Sequence, residues 1–192
     1  MLHFVQPTTW EDVFQDWKRR EGSDPGWIHC ATILKGWPDW ESWRRFTAAQ
    51  VQADERAWNL FEFTDPMRDI PMMLVGPFAG WQAKLPVPNR QTFADLVRRP
   101  EQAVPLHSHE RVAGIMKHFP PSTTFFGLKR EDTGAIVCLE GHHRATAVAL
   151  CELAGDEINF GGPVRVALAD LGVDEVGLLD QVLARGTTRA VK

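Results

Sequence analysis

The residues best suited to chemistry stand together at positions 140–144, which read Glu-Gly-His-His-Arg. Gly141 has no side chain, so the backbone there can approach an anion closely. Arg144 offers a planar fork of N–H donors to phosphate oxygens, and the rings of His142 and His143 offer further donors. Glu140 is a candidate for acid/base chemistry or metal binding. The cluster therefore favours a phosphate site. The alternative is a structural corner in which Gly141 only supplies the turn, Arg144 pairs with Glu140 and one histidine packs on the helix or the sheet.

The setting of this cluster supports the same interpretation. The segment "AIVCLE" before it is typical of a strand, and an alanine-rich helical pattern follows it as far as Gly155. The first turn of a helix has backbone N–H groups without partners inside the helix, and the helix dipole attracts negative charge to the same place. A strand that passes through a glycine into a helix is therefore well placed to bind phosphate.

A longer run around the cluster resembles the core of the ParB/sulfiredoxin-like superfamily. It reads "HERVAGIMKHFPPSTTFFGLKREDTGAIVCLEGHHRATAVALCELAG". In that core a helix, a β-hairpin, a Gly-x-x-Arg turn and a second helix follow one another, and residues 140–144 match the acidic-Gly-His-His-Arg form of the turn. The similarity extends from near Ser108 to Leu171.

The resemblance implies a nucleotide site with Mg²⁺, because ParB proteins bind and hydrolyse CTP, sulfiredoxins use ATP and free-serine kinases transfer phosphate from ADP. It assigns phosphate contacts to four residues, Gly141, His142, His143 and Arg144. A phosphoryl transfer also needs a group that takes a proton, for which Glu140 is the nearest candidate. Glu62 and Asp65 are more distant candidates in the sequence.

Two departures narrow the function that the resemblance implies. Sulfiredoxins have a catalytic cysteine where this chain has His142, so we do not expect reduction of sulfinic acids. After the predicted strand "GPVRVALADL" there is room for only one helix, so the DNA-binding tail of partition proteins is not expected. The sequence thus favours a nucleotide- or phosphate-binding protein, and among enzymes of that kind a small-molecule phosphotransferase or nucleoside-triphosphate hydrolase.

Two other functions remain open. The first is a non-catalytic module that keeps the phosphate turn to sense a nucleotide or to bind a partner. The second is a metal-dependent enzyme with ligands suited to zinc or iron, drawn from His107, His109, His118, His142, His143 and Glu140. The spacing of these residues matches no familiar metal motif, so zinc is not favoured.

The elements that must position the cluster are best defined in the second half of the chain. The predicted order is helix, strand, strand, helix, strand, helix, and the two consecutive strands form a hairpin around "EDTG". The predicted helices begin at Asn89 or Thr92, at a cap on Ser108, after Gly141 and near Asp174. Pro100 is expected to end the first of them.

The first half is rich in tryptophan, since all eight tryptophans lie between Trp10 and Trp81. We expect a helix that Thr8 caps together with Glu11, a second helix from Asp39, and strands at "WNLFEF" and "PMMLV". Three tryptophans in segments rich in Gly and Pro could stack on a base or sugar, namely Trp27, Trp37 and Trp81.

The expected fold is mixed α/β, with a ParB/sulfiredoxin-like core in residues 89–192 and a mainly helical portion in residues 1–88. The two portions are expected to pack as one unit, with a substrate pocket possible at their junction. The net charge of −4 and the short basic clusters argue against binding to DNA. Three widely spaced cysteines and the absence of an apolar leader favour a soluble protein of the cytoplasm without a membrane partner.

Overall fold

The computed structural model describes residues 1–186 and 188–190 and contains one five-stranded sheet. The strands are β1 (Leu2–Thr8), β2 (Trp58–Phe63), β3 (Thr124–Arg130), β4 (Ile136–Glu140) and β5 (Arg165–Leu171). The helices are α1 (Trp10–Glu21), α2 (Pro25–His29), α3 (Trp40–Ala49), α4 (Pro66–Asp69), α5 (Ala79–Gln82), α6 (Phe93–Val97), α7 (Pro100–His107), α8 (Glu110–Lys117), α9 (His142–Ala154) and α10 (Gly177–Arg185). A π-helical turn, Cys30–Leu34, follows α2, and 3₁₀ turns span Ala53–Glu55, Ile70–Met72 and Val173–Glu175.

The sheet has the strand order β1-β2-β5-β3-β4. β3 and β5 run parallel, and the other neighbouring strands are antiparallel. The predicted mixed α/β class is confirmed, and so is the order of the last six elements around the β3–β4 hairpin. Strands from both halves of the chain belong to this one sheet.

Each face of the sheet carries its own hydrophobic core. Adjacent residues of a strand point to opposite faces, so Phe125 packs with α6, α8 and α9, whereas Phe126 packs with the tryptophans of α1 and α3. Trp17 and Trp40 are almost completely buried in the second core. The sheet thereby holds α9 on one side and the tryptophan-rich helices on the other. In the part of the chain that the structure describes, every helix is too short or too polar to cross a membrane.

Several predicted helix boundaries are confirmed by their caps. The side chain of Asp39 accepts a hydrogen bond from the Ser42 N–H at the start of α3. Thr92 and Asp95 form a capping box at the start of α6. Gly155 ends α9 with a φ of 76°, which a glycine adopts without strain.

Other boundaries were predicted wrongly. Thr8 does not cap α1, because it is the last residue of the unpredicted strand β1, and Thr9 instead accepts a hydrogen bond from the Asp12 N–H. Ser108 does not cap α8, because Pro100 begins an additional helix, α7, and Ser108 lies at its C-terminal end. The final helix begins at Gly177, after a 3₁₀ turn.

The segment "PMMLV" is not a strand. Ile70–Met72 form a 3₁₀ turn that continues α4, and Leu74 makes only isolated bridges, with Thr92 and Val137. The N–H of Leu74 donates to the carbonyl of Ile136, so the extended backbone at Leu74 pairs with the edge of β4 over one residue. A proline at the start of the segment lacks the N–H that a longer ladder needs, and the chain turns instead.

Candidate ligand-binding site

The Glu-Gly-His-His-Arg turn lies between the last residue of β4 and the first turn of α9. Gly141 has a φ of 107°, and a Cβ atom there would lie 2.2 Å from Cδ1 of Phe125, so only glycine fits. The first bond of the helix runs from the Ala145 N–H to the Gly141 carbonyl. No side chain of residues 1–186 or 188–190 caps this helix end, which leaves its N–H groups for a ligand.

Glu140 and Arg144 form a buried ion pair within the turn. Nη2 of Arg144 donates to both carboxylate oxygens of Glu140, at 2.6 and 2.5 Å. Nη1 of Arg144 donates to the hydroxyl of Thr123 and to the carbonyl of Thr124. Nη1 of Arg20 donates to Glu140 as well, at 3.1 Å. Both terminal nitrogens of Arg144, Nη1 and Nη2, which could donate hydrogen bonds to a phosphate, thus already donate to acceptors of the protein.

These contacts keep Glu140 ionised. Burial acts to raise the pKa of Glu140, but the charges and hydrogen bonds of Arg144 and Arg20 outweigh it and lower the pKa to about 2. A carboxylate with such a pKa is a weak base. The geometry therefore gives Glu140 a role in fixing Arg144 and Arg20, and its role in acid/base chemistry stays a prediction.

His142 is enclosed by aromatic rings. Trp81 stacks on it at a centroid distance of 5.1 Å, while Phe78 and Phe93 approach it edge-on. Its Nε2 accepts a hydrogen bond from the Gly76 N–H at 3.2 Å. Burial lowers the pKa of His142 to about 3, with a smaller contribution from His143, so the ring is neutral. His142 ties the loop at Gly76 to α9.

His143 is the member of the cluster whose ring remains available. Its centroid lies 5.1 Å from His109, 5.2 Å from Trp81 and 6.1 Å from Trp27. Burial, then His109 and Arg111, lower the pKa of His143 to about 4. Within the described residues its ring nitrogens have no hydrogen-bond partner, so a neutral imidazole faces the space beside the turn.

A cavity of about 530 Å³ opens in front of the turn. This volume suits a nucleotide-sized ligand. Its lining combines residues 140–144 with the end of α1, Trp27 of α2, Trp43 of α3, Trp81 of α5, and parts of α8 and the C-terminal segment. Residues of both halves of the chain therefore line this cavity.

Two of the three tryptophans singled out from the sequence belong to this lining. Trp27 and Trp81 face the cavity, but they stand on the short helices α2 and α5 rather than in loops. Trp37 does not belong to the lining, and its indole N–H donates to the carbonyl of Thr188. Stacking on a ligand is therefore open to Trp27 and Trp81.

Most positive charge around the cavity is already balanced. Arg20 pairs with Asp16 and Glu140, and Arg44 pairs with Glu21 at 2.7 Å. Two further cations of the lining have weak ion pairs or none among the described residues. The Lys35 ammonium has no partner among the residues that the structure describes, and the contact of Arg111 with Asp24 is 3.3 Å long and partly exposed. The cavity therefore keeps an excess of positive charge, part of it at Arg111 beside His143.

Glu21 is a functional candidate that the sequence analysis missed. Its side chain is 14% exposed, lines the cavity and accepts a hydrogen bond from Nη2 of Arg44. Burial raises the pKa of Glu21 above its usual value although Arg44 acts against this. Glu21 and Glu140 are thus two cavity carboxylates whose pKa values diverge, an arrangement typical of acid/base sites.

Arg44, also missed, lies in a box of indole rings. Its guanidinium carbon is 3.9 Å from the ring centroid of Trp43 and 4.7 Å from those of Trp17 and Trp27. A signal was present in the sequence. Glu21 follows Trp17 by four residues, and Arg44 lies between Trp43 and the buried Thr47, so both charges fall on the buried stripes of amphipathic helices.

The predicted histidine cluster does not assemble. His109 reaches His143, but His107 and His118 are exposed on the surface. Among the residues that the structure describes, no three His, Cys, Asp or Glu side chains are grouped so that they could hold a metal ion. Glu62 pairs with Arg165, and Asp65 caps α4, so neither of these carboxylates lines the cavity.

No protein-family model matches the chain, and neither a curated protein nor a solved structure matches it. The resemblance of the turn and its flanking elements to the ParB/sulfiredoxin-like superfamily therefore stays a prediction.

Proposed function

We propose that the protein binds a nucleotide or another small phosphate-bearing molecule in this cavity. The observation that carries the proposal is the uncapped N-terminus of the 13-residue helix α9, which opens into a cavity of about 530 Å³ beside the unpartnered ring of His143. Helix N-termini bind phosphate through backbone N–H groups and the helix dipole. Arg111, within electrostatic range of His143, adds a positive charge.

The residues of the turn divide into two roles under this proposal. The backbone of residues 142–144 and the ring of His143 contact the phosphate. Glu140, Arg144 and His142 hold the turn in shape, because their polar atoms are bonded to other parts of the protein. The phosphate contacts that the superfamily resemblance implies for the side chains of His142 and Arg144 are thereby reassigned to the backbone.

One of the two carboxylates in the lining could hold a Mg²⁺ ion. Both oxygens of Glu140 accept hydrogen bonds from arginines, whereas Glu21 is bonded among the described residues only through Oε2, to Arg44. A magnesium site needs at least one carboxylate oxygen directed at the ion, together with substrate phosphates. Under this proposal Oε1 of Glu21 would supply that oxygen, and Lys35 and Arg111 would balance part of the charge of the ligand.

Binding is tested by thermal unfolding in the presence of ATP, ADP, CTP, GTP and inorganic phosphate, with and without Mg²⁺. A ligand that binds only the folded state raises the unfolding temperature, and we expect at least one nucleotide to do so without Mg²⁺. Arg111→Gln should weaken that ligand about ten-fold, the loss of one charge-assisted hydrogen bond. Arg98→Gln, an exposed change outside the cavity, is the matched control. The proposal fails if no phosphate compound stabilises the protein.

Turnover of the ligand is a second candidate function because Glu21 lines the same cavity with a raised pKa. In a phosphotransferase or nucleotide hydrolase, Glu21 would take the proton of the attacking hydroxyl or water. That oxygen would bond to the phosphorus while the remaining nucleotide leaves. Release of phosphate or its transfer to added alcohols, followed by ³¹P NMR, tests this. Glu21→Gln should abolish turnover and preserve binding. Binding without turnover by the unmodified protein would favour a nucleotide-sensing module.

A further inference from the structure

The cavity has an apolar wall beside the Glu-Gly-His-His-Arg turn. Six residues of the lining are apolar and only half-buried, so part of each is accessible without movement of the protein. They are Trp27, Phe78, Ala79, Trp81, Ile115 and Pro120. Apolar surface of this kind gains free energy when a ligand covers it with apolar atoms of its own.

The polar side chains of the same lining are largely bonded to the protein. The hydroxyl of Thr47 donates to the carbonyl of Trp43, that of Thr123 accepts from Arg144, and that of Thr188 accepts from the indole N–H of Trp43. The arginines that pair with the two carboxylates of the lining are engaged as well. A sugar brings several hydroxyls, each of which needs a hydrogen-bond partner when it is enclosed. The lining therefore suits a ligand body with few hydroxyls.

The apolar wall adjoins the groups that are available to an anion. Ile115 follows Arg111 by four residues on α8, so the two side chains lie on the same face of that helix. On the other side, the ring of Trp81 lies edge-on to that of His143, at a centroid distance of 5.2 Å. A ligand with its phosphate at the start of α9 would therefore direct the rest of the molecule along apolar side chains.

We propose that the ligand is a phosphate ester whose organic part is an aromatic body with few hydroxyls. The phosphate lies at the start of α9, and the organic part lies against Phe78, Trp81 and Ile115. Aromatic rings suit this wall, because they pack edge-on or offset on the rings of Phe78 and Trp81. This inference rests on the proposed function and adds the chemistry of the organic part. The base of a nucleotide meets the requirement and its ribose does not.

The proposal is tested by calorimetric titration of the full chain with 1-naphthyl phosphate, phenyl phosphate, AMP, glucose 6-phosphate, inorganic phosphate and 1-naphthol. We expect 1-naphthyl phosphate to bind at least about ten-fold more tightly than glucose 6-phosphate, because its rings bury apolar surface without enclosing hydroxyls. Phenyl phosphate and AMP should have intermediate affinities. Inorganic phosphate and 1-naphthol, which each keep one half of the ester, should bind more weakly than 1-naphthyl phosphate.

A pair of variants on α8 connects this preference to the wall. Ile115 and Met116 are both half-buried and pack against the same hydrophobic core, but Ile115 alone of the two lines the cavity. Ile115→Ser should therefore lower the affinity for 1-naphthyl phosphate several-fold and leave that for inorganic phosphate unchanged. Met116→Ser should change neither affinity. Phe78→Ser gives a second measurement of the same ratio if Ile115→Ser does not fold.

The outcomes separate this inference from the proposed function. If glucose 6-phosphate binds as tightly as 1-naphthyl phosphate, or if the two α8 variants have equal effects, the aromatic body is wrong and phosphate binding stands. If 1-naphthol binds as tightly as its phosphate and Ile115→Ser weakens both, the aromatic contact stands and the phosphate site is wrong. If none of these compounds binds, both are wrong.

Discussion

Two parts of the cavity lining differ in how their buried polar side-chain atoms are satisfied. At the turn, the carboxylate of Glu140 accepts hydrogen bonds from Arg144 and Arg20, and Nε2 of His142 accepts one from the Gly76 N–H. In the tryptophan-rich part, four buried donor nitrogens have no partner within the described residues, namely Nε1 of Trp17 and of Trp27, Nε of Arg44 and Nε2 of Gln50. The side chains that shape the turn are thus bonded to the protein, and the N–H groups of α9 and the ring of His143 remain there for a ligand.

This difference indicates that a short motif can owe its residue types to structure more than to ligand contact. The ion pair and the neutral His142 hold Gly141 and the start of α9 in place, so the backbone can present its N–H groups. Under the proposed function, side-chain contact with a ligand then falls to His143 and to residues outside the motif, such as Arg111 on α8. Substitutions of Glu140, Gly141 or His142 should therefore reduce stability first, and substitutions of Arg111 should reduce binding first.

The largest expected effect is that of Glu140→Gln. It leaves Arg144, and in part Arg20, buried without a counter-charge, which should lower the free energy of unfolding by about 3–5 kcal/mol. Urea unfolding followed by circular dichroism measures the loss. Glu62→Gln, which breaks the half-exposed pair with Arg165, should cost less than about 1 kcal/mol. Equal costs for the two variants would show that the turn is not held by its ion pair.

Gly141→Ala should have the next largest effect. The substitution combines a φ of 107° with a Cβ atom 2.2 Å from Phe125, and a loss of about 2–4 kcal/mol is expected. Gly134→Ala has a positive φ without a nearby atom, so it should cost only about 1–2 kcal/mol. Gly114→Ala, in α8 with open space around it, should be neutral or stabilising. The same urea measurements apply, and a small loss for Gly141→Ala would contradict the tight packing of the turn.

The elements around the turn were predictable because their signals are local. Gly134 marks the hairpin turn and Gly155 ends α9, and the strands on either side of the hairpin turn, β3 and β4, have strong β-propensity. Strand β1 was missed because almost all of its residues are exposed, so its sequence lacks the apolar alternation of a buried strand. It is held by pairing with β2, more than fifty positions later, which no local pattern reveals. Pro100 was interpreted as an end although it begins α7, since proline is tolerated in the first turn.

The candidate site was predictable only at the turn. A glycine with charged neighbours between a strand and a helix can be recognised in the sequence, and in the structure a cavity lies in front of it. Glu21 and Arg44 were not identified, because a charge on an amphipathic stripe can equally be exposed at the edge of that stripe. Their burial follows from which helix faces meet, and this depends on the packing of α1 against α3 on one face of the sheet. The pairing of Arg144 with Glu140 was among the sequence alternatives, whereas Arg20 and Gly76, the partners outside the motif, were hidden for the same reason.

The two histidines of the turn should make stability fall in mild acid. In the unfolded chain they bind protons below about pH 6.5, whereas in the folded protein His143 stays neutral down to about pH 4 and His142 down to about pH 3. Between pH 6.5 and 4 the unfolded state therefore binds more protons. The free energy of unfolding should decrease as the pH falls, by up to about 1.4 kcal/mol per pH unit for each histidine.

This pH dependence can be assigned with single variants. His142→Gln keeps an acceptor for the Gly76 N–H but cannot be protonated, so it should remove about half of the slope between pH 6.5 and 5. Glu140 contributes at lower pH, because its stabilisation is lost only as the pH falls from its ordinary pKa near 4.5 towards 2. His107→Gln, an exposed change, serves as the control. An unchanged slope in His142→Gln would mean that this ring is not held neutral.

The smallest expected effect on stability comes from Gln50→Leu. Gln50 and Gln82 are both buried, but the amide of Gln82 donates to the carbonyls of Val75 and Gly76 and accepts from the Asn89 N–H. Gln82→Leu leaves those three groups unpaired and should cost about 2–4 kcal/mol. Gln50→Leu removes a donor that has no partner among the described residues, so stability should stay within about 1 kcal/mol or rise. A cost close to that of Gln82→Leu would mean that the Gln50 amide has a hydrogen-bond partner in solution, and the contrast between the two parts of the lining would disappear.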